Sequence, residues 1–60
     1  MTHYQKAVLV MDFLKDLGVS ILAIGRAIDD RRFDQTYRLI TENPQITKKE
    51  FLETMGIAED

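Results

Sequence analysis

The sixty-residue chain has no cysteine, no tryptophan, one proline and three glycines. Without cysteine, neither disulfides nor thiolate metal sites can staple it. A domain of this length buries only about 60% of its unfolded surface, and its core is worth roughly 3–5 kcal/mol. Stability must therefore come from well-made helices or from a partner chain. Long hydrophobic runs are lacking as well. Ala7-Val8-Leu9-Val10-Met11 is cut by Asp12, far short of the ~20 apolar residues that cross a bilayer. With the run at 7–11 cut so short, no secretory leader is expected. Nor is there an excess of one charge: eight basic residues face ten acidic ones, for a net charge of −2. That balance argues against a nucleic-acid coat protein. It leads us to expect a single cytoplasmic domain over residues 1–60 that does not enter a membrane.

What the chain does have is helix punctuation. No segment alternates apolar and polar residues as a half-buried strand would, and no Asn-Gly or Asp-Gly hairpin turn occurs. The expected fold is all-α, a small orthogonal bundle of three to four short helices at about 3–17, 20–29, 31–43 and 47–55. Thr2-His3-Tyr4-Gln5 and Thr47-Lys48-Lys49-Glu50 both have the form of a capping box, with Ile46 and Phe51 placed as a hydrophobic staple. Gly18-Val19 and Gly56-Ile57 each supply a left-handed glycine followed by an apolar residue that can fold back on Leu14 and Leu52. Ser20 is expected to cap the second helix and Asp30 the third. Pro44 stops the third helix by Asn43. The apolar phase changes between Ile24-Ala27-Ile28 and Phe33-Tyr37-Ile40, which places a turn at 29–32. Gly25 costs about 1 kcal/mol in a helix interior and is expected at a tight helix crossing. Residues 58–60 are expected to fray.

Catalytic and metal chemistry have little to work with. His3 is the only histidine and Ser20 the only serine. The i, i+4 carboxylate pairs Asp12/Asp16 and Asp30/Asp34 lack a third ligand at helical spacing. No glycine-rich phosphate loop is present. We therefore expect no enzyme, no cofactor, no bound metal and no small-molecule substrate.

The first helix has an excess of apolar residues. Tyr4, Ala7, Val8, Met11 and Leu14 form a stripe that Leu9, Val10, Phe13 and Leu17 widen past half the circumference, more than a surface helix needs. That surplus leads us to expect that Leu9, Val10, Phe13 and Leu17 meet another protein or a second copy of this chain. The function then expected is that of a small helical interaction module, an accessory regulator capable of self-association.

The alternative is a small DNA-binding regulator using Arg31, Arg32, Arg38, Lys48 and Lys49 on phosphates. The segment Leu39-Ile40-Thr41-Glu42-Asn43-Pro44-Gln45-Ile46-Thr47-Lys48-Lys49-Glu50-Phe51-Leu52-Glu53-Thr54-Met55-Gly56-Ile57 resembles the opening of winged helix-turn-helix regulators. In that family a helix ends in Asn-Pro, an Ile-Thr pair leads into the next helix, and a Gly-Ile turn follows. The resemblance implies a DNA-binding transcriptional role. However, only three residues follow Ile57, so the recognition helix and wing of that family are not among these sixty residues.

Overall fold

Local capping chemistry decides where the helices begin. The computed structural model describes residues 1–59, and Asp60 lies outside them. Four helices follow one another: α1 (His3–Leu17), α2 (Ile21–Ala27), α3 (Phe33–Glu42) and α4 (Lys48–Met55), with no strand among the described residues. The protein is all-α. Thr2 and Gln5 close a capping box at α1, and Thr47 and Glu50 close one at α4. In each, the threonine hydroxyl accepts from the backbone three residues on, while the longer side chain accepts from the threonine N–H. These bonds to Thr47 hold the Glu50 carboxyl below the usual carboxylate range. The Ser20 hydroxyl accepts from the Ala23 N–H and caps α2.

Both glycine terminators take the left-handed conformation, Gly18 at φ 88° and Gly56 at φ 68°. Behind each, the next residue donates its N–H back into the helix, Val19 to Leu14 and Ile57 to Leu52, both at 3.0 Å. Val19 and Ile57 are buried by that return, which is the apolar closure such endings use.

The α2–α3 turn departs from expectation. Asp30 does not cap α3. Asp29 organises the turn instead: its carboxylate accepts from the Arg31 N–H at 2.9 Å, and its carbonyl accepts from Arg32 and Phe33. An Asx turn of this kind satisfies backbone donors two residues on. It ends α2 at Ala27, delays α3 to Phe33, and leaves Arg32 at the N-cap with no side-chain cap.

Stopping α2 there leaves the Ala27 carbonyl facing the core. The fully buried Thr36 hydroxyl donates to it at 2.8 Å. Replacing Thr36 with valine keeps the shape and removes the donor. We expect a loss of about 1–3 kcal/mol, with Tm falling on the order of 4–8 °C for each kcal/mol, measurable by thermal circular dichroism. An unchanged Tm would show that the bond contributes nothing.

The core itself is small. Phe51, Leu14 and Val10 are its largest fully buried apolar side chains, with Phe33, Ile40, Ile24 and Met55 around them. Helix α1 packs on both α2 and α3. The solvent-exposed His3 lies with its ring 4.6 Å from that of Phe33, which stacks in turn on Tyr37. The Lys6 ammonium sits 5.1 Å from the Tyr37 ring centre, within the range of a cation–π contact.

Candidate functional site

Successive helical residues are about 100° apart, so burial fixes which side of each helix faces inward. On α1 the inward side is Ala7, Val10 and Leu14, with Phe13 and Leu17 half-buried against the core. This corrects the expected contact set. Val10 is fully buried and cannot meet a partner, and Phe13 and Leu17 are packed on the chain's own core. Leu9 alone stays open, at 40% exposure. It stands on the wheel among Gln5, Asp12 and Asp16, and a lone leucine in polar surroundings needs no partner.

The exposed apolar surface lies elsewhere. On α1 it is Tyr4, Val8 and Met11, at i, i+4 and i+7 along one edge of the apolar stripe. On α2 it is Ile21 and Leu22, 86% and 71% exposed. Ile21 falls on the same side of the helical wheel as Ile24 and Ile28, but α2 buries Ala23, Ile24 and Ala27 instead. Small residues let this short helix sit close on the core, and that turns the preceding Ile21–Leu22 pair outward. Gly25 shares their side. A side chain added there would meet nothing within 4 Å, so the expected tight crossing does not exist within the chain.

This pair was missed because Ile21 was grouped with the other isoleucines. One local signal pointed to it. Ile21 and Leu22 are adjacent, so they diverge by about 100°, and a helix burying Ala23, Ile24 and Ala27 cannot bury both.

The basic residues divide differently. Arg26, Arg31 and Arg32 line an open depression of about 240 Å³ with Asp29 among them. Arg31 and Arg38 line another of about 420 Å³, which also carries Asp34 and Glu42. Lys48 forms an ion pair with Glu59 at 2.9 Å, the only one among the described residues. Lys49 is exposed on α4. Among the described residues, no three His, Asp or Glu side chains come together as a metal site. A further open hollow of about 570 Å³ lies between the end of α3 and α4 and holds Pro44, Ile46 and Glu50. Comparison with protein-family models, with curated proteins and with solved structures gave no match. No helix of the structure is long and apolar enough to cross a membrane.

Proposed function

We propose that this chain is a small helical interaction module that binds another protein, or a second copy of itself, through the outward side of α2. One observation carries the reading: two adjacent large aliphatic side chains, Ile21 and Leu22, stand almost wholly in water at the start of a helix. Burying a side chain of this kind is worth about 1.5–3 kcal/mol, and this chain's own fold does not collect it. An accessory, regulatory role fits a domain too small to hold an enclosed substrate pocket.

Gly25 supports the same reading. It lowers helix stability by about 1 kcal/mol relative to alanine yet serves no contact within the chain. On a docking face, a missing side chain lets a partner backbone come close. Gly25→Ala is therefore expected to raise Tm while weakening association. An alanine variant that is more stable and associates as well as the parent would remove Gly25 from the interface.

The direct test is sedimentation equilibrium over a wide concentration range, with a photo-crosslinking residue at position 22 and a control at position 49. Association, or crosslinks formed at 22 and not at 49, would support the reading. A monomer at every concentration, with no crosslink specific to 22 either in the purified protein or in a cell extract, would end it.

The DNA-binding alternative would use Lys48, already paired with Glu59, and Lys49, together with Arg31, Arg32 and Arg38. The acidic side chains of Asp29, Asp34 and Glu42 share the arginines' depressions, and a phosphate entering there would be repelled as well as attracted. Those carboxylates favour the protein-binding reading.

A further inference from the structure

We propose that residues 57–59 form a strap whose docking orders the first turn of α2 and so holds Ile21 and Leu22 in their outward positions, an inference that rests on the interaction surface proposed above. The argument begins from a gap in α2. Helices α1 and α4 each close a capping box with a side chain three residues after the cap, Gln5 and Glu50. At the matching position α2 has Ala23, which has no acceptor. The Ser20 N–H would then lack the partner that its counterparts have.

Glu59 supplies that partner from 39 residues away: its Oε2 accepts from the Ser20 N–H at 2.6 Å. The other oxygen, Oε1, meets the Lys48 ammonium at 2.9 Å. Lys48 opens α4, where the helix dipole disfavours a cation, and Glu59 offsets that charge. One residue earlier, the Ala58 carbonyl accepts from Arg26 Nη1 at 3.0 Å, and Arg26 belongs to the last turn of α2. Ile57 plugs the core at 6% exposure. Residues 58–60 were expected to fray; Asp60 lies outside the described residues, and Ala58 and Glu59 instead tie both ends of α2 to the start of α4, beside the apolar anchor of Ile57.

The consequence for α2 follows from its length. Seven residues are well below the ~12–15 at which an isolated helix becomes even marginal in water, so α2 keeps its order through tertiary ties. Ile21 and Leu22 are the first two helical residues after Ser20, where fraying starts. Undocking of the strap would free Arg26, unpair the Ser20 N–H and loosen the turn that carries the interaction pair.

The Lys48 ammonium, and after it the Ser20 N–H, hold the Glu59 carboxyl below the usual carboxylate range. A carboxylate favoured in the docked state keeps its contribution above the ordinary Glu range and loses it as pH falls through the lowered value. Lys48 and the Ser20 N–H meet the carboxylate directly, and Arg26 holds the adjoining Ala58 carbonyl. Acid therefore weakens the Glu59 tie, while the Ile57 anchor and the Arg26–Ala58 bond remain.

Amide hydrogen exchange on the sixty-residue chain tests this residue by residue. In Glu59→Ala the Ala23 and Ile24 amides are expected to exchange roughly tenfold faster, on the scale of a lost helix cap, while Leu14 and Phe51 keep their rates. Glu59→Gln, whose amide oxygen still accepts from Ser20, is expected to fall between the two. Unchanged rates at Ala23 and Ile24, or equal acceleration in all four helices, would overturn the strap. The interface reading is judged separately. If Glu59→Ala loosens α2 while replacement of Ile21 and Leu22 leaves association untouched, the strap stands and the surface is wrong.

Discussion

Val10→Asp is expected to abolish the fold, with the far-UV circular dichroism of an unfolded chain at 25 °C. Val10 has no exposed surface and packs in the core that also contains Leu14, Phe33 and Phe51. The buried residues of that core cluster are apolar, so a carboxylate there would be stripped of water. Burying an unpaired charge costs several kcal/mol, and a core of this size supplies only about 3–5 kcal/mol in all. The comparison that makes the result decisive is Leu9→Asp, one residue away and 40% exposed among polar neighbours. A surface change of that kind normally stays within about 0.5 kcal/mol, so that variant should keep its helicity and its Tm. Phe13→Asp, half-buried on the core, should lie between them. Were Val10→Asp to remain helical while association disappeared, the inward face of α1 would have been assigned to the wrong side.

The same two neighbouring residues show where reading the sequence succeeds and where it stops. Helix starts and stops were legible because their chemistry is local. Thr2 with Gln5, Thr47 with Glu50, Gly18 with Val19 and Gly56 with Ile57 act within a few residues, and all four pairs do in the structure what their types suggest. The inward side of α1 was not legible. A helix apolar over more than half its circumference has no single direction that a wheel can recommend. Packing on α2 and α3 made the choice, taking Ala7, Val10 and Leu14 and leaving Tyr4, Val8 and Met11 outside. Asp29 rather than Asp30 shapes the turn because two adjacent carboxylates differ by one register step that only the path of the chain decides. Thr36 and Glu59 were invisible for a different reason: their partners, Ala27 and Ser20, lie nine and 39 residues away. Of the expected contact residues only Leu9 is open to solvent, while Ile21 and Leu22 emerge once it is known that the small residues of α2 face the core.

Those two residues carry the second large effect. Ile21→Gln with Leu22→Gln should leave the monomer as stable as the parent and remove its association. Both side chains stand in water, so their truncation empties no cavity, and glutamine is at least as good a helix former as isoleucine and close to leucine. The monomer's stability should therefore change by no more than surface substitutions do, about 0.5 kcal/mol. Neutral glutamine also leaves Glu59 and its contacts with Ser20 and Lys48 electrostatically undisturbed, which a charged replacement at the same turn would not. An interface centred on the pair loses the burial of two large aliphatics, worth about 1.5–3 kcal/mol each. Together that is roughly 3–6 kcal/mol and more than a hundredfold in affinity. Since partner binding raises apparent stability by mass action, the parent's Tm should climb with concentration and the variant's should not. Equal concentration dependence in the two proteins would move the interface off α2, and the Tyr4–Val8–Met11 stripe of α1 would be the apolar surface left to account for it.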